Sequence, residues 1–266
     1  MSKPDLPKLL PGVIQIAKLA GEKIMEIYNR DFSVLQKKDD TPVTEADMAA
    51  HAIIDDELEE LAAQYPVLSE ESASIPFEDR ARWERYWLVD PLDGTREFIK
   101  HNGEFTVNIA LIENHLPVLG VVYAPAYSNC YYAATGLGAY RELGKRPAVP
   151  IQVARQHHDK IIIAGSRSHR GKSLKRFLEN LADYELLAIG SSLKSCLVAE
   201  GKADIYARLG PTSEWDTAAA QCIVEEAGGF VTNTNMQRLR YNCKESLLNP
   251  EFFVFGDNSV NWSDYL

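Results

Sequence analysis

The segment WLVDPLDGT, residues 87–95, places two carboxylates three positions apart at the end of an apolar, strand-like run. Asp90 ends the strand, and Pro91 fixes a turn that can bring Asp93 back beside it. Two carboxylates about 4 Å apart repel each other by roughly 4 kcal/mol at an effective dielectric constant of about 20, and a divalent cation between them reverses the sign. With no histidine or cysteine in the segment, hard oxygen ligands favour Mg²⁺, or Mn²⁺, over zinc. The pair alone leaves open a turn whose aspartates accept backbone amides.

Gly94 and Thr95 extend this candidate site from a cation to an anion. Glycine lets the backbone approach a ligand closely. Thr95 supplies a hydroxyl where a helix could begin, and the free amides of a helix start attract an anion. The segment therefore predicts a metal and a phosphate side by side.

Three other acids are candidates for the same site. Glu70 lies in VLSEES, before the apolar run, where a solvated side chain is the alternative. Asp47 follows Thr44, and Asp216 follows Ser213, by three residues at predicted helix starts. Each aspartate could therefore be an N-terminal capping carboxylate. A cap and a functional role are compatible, and spacing alone does not distinguish them.

Distant segments must fold to bring these acids together. Apolar residues at every third or fourth position predict a helix ending near Tyr28, and the capping pattern at Thr44 predicts a second helix to about Gln64. From residue 86, short β-rich runs between Gly, Pro and Asn turns predict a largely antiparallel sheet: YWLV, FTVNIALI, VLGVVY, CYYAA and GAYREL.

After residue 150, strand-like and helix-like segments alternate. Helices are predicted at 172–181, 192–200 and 214–227, between the strands IIIAGS, ELLAIG, DIYAR, GFVTN and FFVFG. The first half therefore indicates an α+β fold and the second an α/β fold. The loop near 144–150 is too short for a free linker, so we expect two packed subdomains, 1–147 and 148–266.

Composition excludes several classes of protein. The 266 residues are 45% hydrophobic, which can bury a substantial core. A formal net charge of −10, without a run of Lys or Arg, disfavours a nucleic-acid surface. The four cysteines lack zinc-ligand spacing and are interpreted as reduced core thiols. Prolines and polar residues interrupt the apolar N-terminus, which disfavours a signal peptide or a membrane span and predicts a cytoplasmic protein.

Two motifs resemble those of the inositol monophosphatase superfamily of Mg²⁺-dependent, lithium-inhibited phosphatases. They are D-P-L-D-G-T, in WLVDPLDGT, and W-D-x-A-A, in PTSEWDTAAAQCIVEEAGG, and they occur in the expected order together with LSEES. The likeness runs from about Lys8 to Gly256. More narrowly, GEFTVNIALI, GSSLKSCLVAEGKADIY and ESLLNP are similar to the bacterial 3'(2'),5'-bisphosphate nucleotidases of that superfamily. The resemblance implies a layered α-β-α-β-α sandwich.

The resemblance also implies roles for the acids. Two or three Mg²⁺ ions, replaceable by Mn²⁺, would be held by Glu70, Asp90, the Leu92 carbonyl, Asp93 and Asp216. Glu70, Thr95 and Asp47 would orient the attacking water and accept or relay its proton, while the ions activate the water and neutralise the leaving oxygen. Asp93, Gly94, Thr95 and Asp216 would also contact the substrate.

A nucleotide with two phosphates needs a second cationic pocket, which an inositol monophosphate does not. In GSSLKSC, Ser191 precedes a predicted helix and Lys194 lies in its first turn, and Arg208 ends DIYAR. His169, in SRSH, could stack on adenine or hydrogen-bond to it. From residue type alone, surface charges and a solvated loop histidine are the alternatives. The S-x-x-K pattern and the following arginine resemble the element that holds the non-reacting phosphate in these nucleotidases.

The implied activity is removal of the 3'-phosphate from adenosine 3',5'-bisphosphate, giving AMP and phosphate and clearing a by-product of sulfate assimilation. 3'-Phosphoadenylyl sulfate is a second expected substrate. The alternatives are an inositol-1-phosphatase and a non-catalytic nucleotide- or metal-sensing protein. We expect no obligate protein partner and a monomer, with a homodimer as the alternative. Relatives on the cytoplasmic face of the inner membrane suggest that location too, although no basic amphipathic helix or lipidation motif supports it here.

Overall fold

The computed structural model describes residues 4–36, 42–155, 159–166, 171–181 and 183–266. These residues form seven α-helices: α1 (Leu6–Tyr28), α2 (Glu45–Ala62), α3 (Phe77–Arg80), α4 (Thr95–Ile99), α5 (Lys172–Leu181), α6 (Leu193–Ala199) and α7 (Ala218–Glu226). They also form fourteen strands: β1 (Val34–Gln36), β2 (Pro42–Thr44), β3 (Val67–Ser69), β4 (Arg85–Asp93), β5 (Thr106–Glu113), β6 (Leu116–Ala124), β7 (Asn129–Ala134), β8 (Gly138–Leu143), β9 (Val149–Pro150), β10 (Ile161–Gly165), β11 (Tyr184–Ala188), β12 (Ile205–Arg208), β13 (Phe230–Asn233) and β14 (Phe252–Phe255).

The first sheet has seven strands in the order β3-β4-β5-β6-β7-β8-β9, and both of its faces are covered. Its described pairs are antiparallel except β3 with β4, which confirms the predicted sheet. Because side chains alternate along a strand, Trp87 and Val89 pack on one side with α1 and α2. Tyr86 and Leu88 pack on the other side with α6 and α7.

The second sheet has five strands in the order β11-β10-β12-β14-β13, with parallel and antiparallel pairs. One face shares a core with α6 and α7, through Tyr206, Phe252 and Val254. The other face packs against α5, through Phe177 and Phe253. The layers are therefore α1/α2, first sheet, α6/α7, second sheet and α5, which confirms the α-β-α-β-α sandwich.

Helix α7 lies unusually close to the first sheet. A Cβ atom built on Gly120 of β6 would lie 2.2 Å from the carbonyl oxygen of Ala219, so only glycine fits at that position without a shift of the backbone. This contact fixes the start of α7 against β6, and the turn before α7 contacts the neighbouring strands β4 and β5.

The structure corrects one predicted helix. Residues 214–227 do not form a single helix, because a 3₁₀ turn, Glu214–Asp216, precedes α7. Thr217 between them has φ −120° and ψ −30°. The carbonyl oxygen of Asp216 accepts the hydroxyl of Ser192 at 2.7 Å, so a tertiary contact takes the place of a helical bond there.

Several short strands were not predicted from the sequence. They are β1, β2, β3 and β9, of two or three residues each. Strand β9 pairs with β8 and so adds to the first sheet, although it lies beyond residue 147. The division into subdomains 1–147 and 148–266 stays a prediction.

Two predictions from composition concern the cysteines and membrane spans. All four cysteines are free, and three are buried, but Cys243 is exposed, so the prediction of four core thiols was wrong for that residue. None of the helices within the described ranges is long and apolar enough to cross a membrane.

Candidate active site

A β-bulge brings Asp90 and Asp93 to the same side of β4. Asp90 pairs with Asn108 of β5, and Asp93 pairs with Thr106. Strand β4 therefore has one more residue than β5 between the two pairs. In a regular strand, residues three apart face opposite sides, and the extra residue restores the same side. The predicted turn after Asp90 was therefore wrong, because the strand continues to Asp93 through a bulge. Pro91 suits the bulge because proline has no N–H to leave unpaired.

Asp216 joins this pair from the other half of the chain. One ligand atom each from Asp90, Asp93 and Asp216 lies within 4.8 Å of the others. The Ser213 amide donates to Asp216 Oδ2 at 2.9 Å, so the predicted capping contact is present as well. The structure thus brings together three of the predicted metal ligands, and the Asp216 carboxylate contacts the start of its turn at the same time.

Glu70 approaches the three aspartates from β3. Ser69 pairs with Val89 in the parallel β3–β4 ladder, so Glu70 follows at the level of Asp90 and begins a 3₁₀ turn, Glu70–Ser72. Its charge is close enough to raise the pKa values of Asp47, Asp90 and Asp216. Glu70 is half-buried, so its side chain is only partly solvated.

Burial and mutual repulsion raise the pKa values of Asp90 and Asp216 in the absence of a cation. Burial, followed by the charges of Glu70, Asp93 and Asp216, raises the pKa of Asp90 well above its usual range. Burial, with Asp93, raises the pKa of Asp216 to about 8. Carboxyl groups with raised pKa values, whose hard oxygen donors lie within 4.8 Å of one another, fit a divalent cation.

Without a divalent cation, the free energy of unfolding is expected to fall as pH rises from about 4 to about 8. The pKa of Asp216 is about 8 in the folded chain against an ordinary value of 3.8, so the folded state binds the proton more tightly. Stability from such a group is complete below its unfolded pKa and is lost as pH rises through its folded pKa. Burial shifts the pKa values of Asp47, Asp90 and Glu214 in the same direction.

Bound Mg²⁺ should flatten this pH dependence, because it replaces the protons. Urea unfolding at about pH 5 and about pH 8, with EDTA and with Mg²⁺, measures both effects. If the stability of the metal-free protein increases over this pH range, the acidic cluster of Glu70, Asp90, Asp93 and Asp216 is not repulsive as assigned.

Asp47 and Thr95 form a hydrogen-bonded pair beside the acidic cluster. The backbone N–H and the hydroxyl of Thr44 both donate to Asp47 Oδ2 at 2.7 Å, which confirms the predicted capping box. The Thr95 hydroxyl donates to the other oxygen, Oδ1, at 3.1 Å, and lies 3.4 Å from the carbonyl oxygen of Leu92. Asp47 is therefore an N-terminal cap that also contacts Thr95, another predicted site residue. Burial raises its pKa, which makes it a stronger base when ionised.

Sequence reasoning missed Ser192, which contacts the predicted metal ligand Asp93. Its amide and hydroxyl lie 2.6 and 2.8 Å from Asp93 Oδ2, and its hydroxyl accepts Asn108 Nδ2 at 3.0 Å. The amide holds this oxygen of Asp93, and the single hydrogen of the hydroxyl is shared between Asp93 Oδ2 and the Asp216 carbonyl oxygen. The signal was the second serine of GSSLKSC, next to Ser191, but only the fold shows which serine faces the aspartate.

Lys194 and Arg208 lie beside the acidic cluster. Lys194 is buried, its Nζ donates to the Ser191 carbonyl oxygen at 2.6 Å, and it lies 5.3 Å from the ring centre of Tyr206. Burial lowers its pKa. Arg208 Nε is buried and has no hydrogen-bond partner in the described part of the chain. The surface-charge alternative for Lys194 was therefore wrong.

These cations share a cavity of about 140 Å³ with the site acids. Its lining includes Asp93, Gly94, Ser191, Lys194, Arg208 and Asp216. Gly94 has φ +97°, and a Cβ there would lie 3.0 Å from the Glu104 carbonyl oxygen, so a glycine is required at this wall. A larger cavity of about 730 Å³, mostly lined by apolar side chains, adjoins it at Lys194, Tyr206 and Arg208. The proposed adenine contact, His169, lies outside the described residues.

The inositol monophosphatase family model matches residues 5–254. The chain belongs to this family. It is 49% identical over 248 residues to a protein of Salmonella typhimurium named 3'(2'),5'-bisphosphate nucleotidase CysQ, covering 92% of this chain and 99% of that protein. A protein of the same name from Escherichia coli is 48% identical over the same shares of both chains.

Solved structures agree with this family assignment. The crystal structure of CysQ from Bacteroides thetaiotaomicron, described as a bacterial member of the inositol monophosphatase family, superposes with a TM-score of 0.83 at 42% identity, covering 94% of this chain and 97% of that one. The inositol monophosphatase of Anabaena superposes with a TM-score of 0.78 at 26% identity, covering 98% and 96%.

Proposed function

We propose that this family member is a Mg²⁺-dependent phosphatase that converts adenosine 3',5'-bisphosphate to AMP and phosphate. The observation that carries the proposal is the shared cavity, in which the Asp93 and Asp216 carboxylates lie beside the buried Lys194 and the half-buried Arg208. One end suits the cations of a phosphatase and the other suits a second phosphate. The names of the relatives at 48–49% identity support the same substrate.

Glu70, Asp90, Asp93 and Asp216, with the Leu92 carbonyl, would hold the metal ions. When bound, such ions lower the pKa of an attacking water and neutralise charge on the leaving oxygen, with Mn²⁺ as a substitute for Mg²⁺. The acidic cluster fits this role because its carboxyl groups repel one another until a cation compensates them.

Thr95 and Asp47 would orient the water and accept its proton. Since the Thr95 hydroxyl donates its only hydrogen to Asp47 Oδ1, its lone pairs are available to accept a hydrogen bond from water. Glu70, at the level of Asp90, would take or relay the same proton. The water oxygen forms the new bond to phosphorus, the P–O bond to the 3' position breaks, and a proton completes the 3'-hydroxyl of AMP.

Ser191, Lys194 and Arg208 would hold the phosphate that does not react. Charge-assisted hydrogen bonds in a buried site contribute about 1.5–3 kcal/mol each, whereas an inositol monophosphate has no group for this pocket. 3'-Phosphoadenylyl sulfate has the same 3'-phosphate and is expected to be a second substrate. A single-chain state, a cytoplasmic location and attachment to the inner membrane stay predictions.

Phosphate release tests the proposal directly. With Mg²⁺, hydrolysis of adenosine 3',5'-bisphosphate should exceed that of inositol 1-phosphate by about 10- to 100-fold in kcat/KM, the equivalent of one or two such contacts. EDTA should abolish it, and Li⁺ should inhibit it. A preference for inositol 1-phosphate would favour the inositol-1-phosphatase alternative. Nucleotide binding without phosphate release would indicate a sensing protein.

A further inference from the structure

The segment ESLLNP, residues 245–250, wraps around the turn that carries Asp216. Leu248 forms an antiparallel bridge with Ser213, and the Glu214 amide donates to the Leu247 carbonyl oxygen at 2.8 Å. The Asn249 amide donates to the Thr212 carbonyl oxygen at 2.8 Å. Backbone contacts therefore fix the segment against the turn along three consecutive residues.

The side chain of Asn249 makes the most extensive contact with this turn. Its Nδ2 lies 2.6 Å from the Ser213 carbonyl oxygen, 3.0 Å from Thr217 Oγ1 and 3.2 Å from Thr212 Oγ1. The side-chain amide of Asn249 thus contacts both ends of the turn. Its two N–H bonds are shared among oxygens that lie before and after Asp216 in the chain.

We propose that Asn249 is a positioning residue that sets the geometry of the Asp216 carboxylate for metal binding. The amide of Ser213, whose carbonyl Asn249 holds, donates to Asp216 Oδ2 at 2.9 Å. The residue after Asp216, Thr217, is the second anchor. Asn249 is not among the residues that line the cavity shared by Asp216 and Lys194, so it acts through the turn and not on the substrate.

Other contacts also hold the turn that carries Asp216. Glu214 is buried and accepts the Asn242 amide at 2.7 Å, and the Asp216 carbonyl accepts the Ser192 hydroxyl. The Tyr241 hydroxyl also donates to Thr217 Oγ1 at 3.2 Å, and Asn249 contacts both Ser213, before Asp216, and Thr217, after it. Loss of a residue that orients a metal ligand without binding the metal itself typically weakens metal binding by about 10- to 100-fold.

The test is the affinity of the full chain for Mn²⁺ without substrate, measured by calorimetry or by the electron paramagnetic resonance of free Mn²⁺. Asn249→Leu keeps a similar side-chain size and removes the donors. We expect its Kd for Mn²⁺ to rise about 10-fold. At saturating Mg²⁺, kcat should return to near the wild-type value, which a loss of folded protein would not allow.

Asn129→Leu is the matched control. Asn129 is a buried asparagine of β7 whose side chain also makes two hydrogen bonds, to Tyr131 and Arg141, away from the acidic cluster. It should lower Tm and leave the Kd for Mn²⁺ unchanged. If Asn249→Leu does not fold, Asn249→Ser, which keeps one donor, is measured in its place with the same expected direction.

The inference rests on the proposed role of Asp216, and its failure is distinguishable from that of the proposed function. Wild-type Mn²⁺ affinity in a folded Asn249 variant would overturn the positioning role alone. A wild-type chain that binds no Mn²⁺ would overturn both.

Discussion

Replacing Asp93 with asparagine is expected to lower phosphate release from adenosine 3',5'-bisphosphate by about 10³-fold at every Mg²⁺ concentration. Metal ions supply several kcal/mol of transition-state stabilisation, and each 1.36 kcal/mol is about tenfold in rate. The amide and hydroxyl of Ser192 both lie against Asp93 Oδ2. The asparagine oxygen would take that position, so its NH₂ group would point toward the cation.

The Asp93→Asn chain should still fold, because the change relieves repulsion among the carboxylates within 4.8 Å of one another. Its metal-free Tm should be no lower than that of the wild type, and the rise in Tm on adding Mg²⁺ should shrink. The matched control is Asp56→Asn, an exposed aspartate of α2, which should keep both activity and the Mg²⁺ effect. Wild-type turnover by the Asp93 variant would remove this residue from the ligands.

Replacing Lys194 with methionine should separate the two classes of substrate. Methionine keeps much of the side-chain volume against Tyr206 and removes the charge that Asp93 and Asp216 attract. We expect KM for adenosine 3',5'-bisphosphate to rise by about 10- to 100-fold, the value of a buried charge-assisted contact to phosphate. Inositol 1-phosphate hydrolysis should change by less than about 3-fold, because that substrate leaves the pocket empty.

The control for this variant is Lys202→Met. Lys202 is exposed and pairs with Glu200 at 3.0 Å, close to α6 but outside the cavity. Steady-state kinetics with both substrates gives the comparison. Equal losses for the two substrates in Lys194→Met would show that the lysine supports the fold or the common metal site, and would contradict its assignment to the second phosphate.

Local patterns determined much of the architecture. The apolar spacing of α1, the capping box of Thr44 and Asp47, and the helices α5 and α6 follow from interactions between residues a few positions apart, so they can be read from the sequence. The motif at residues 87–95 indicated a cation beside a phosphate for the same reason, because its donors are neighbours in the chain.

Only the tertiary structure decided how distant residues meet. The distance of Glu70 from Asp90 depends on the β3–β4 register, and the distance of Asp216 from Asp90 depends on the packing of α7 against Gly120. No local sequence pattern specifies either of them. The bulge at Pro91 depends likewise on the pairing of β4 with β5. Ser192, the burial of Lys194 and the contact of Asn249 with the Asp216 turn are products of packing between segments that are far apart in the sequence. These contacts stabilise the protein only after the distant segments have come together, so no pattern within one segment can predict them.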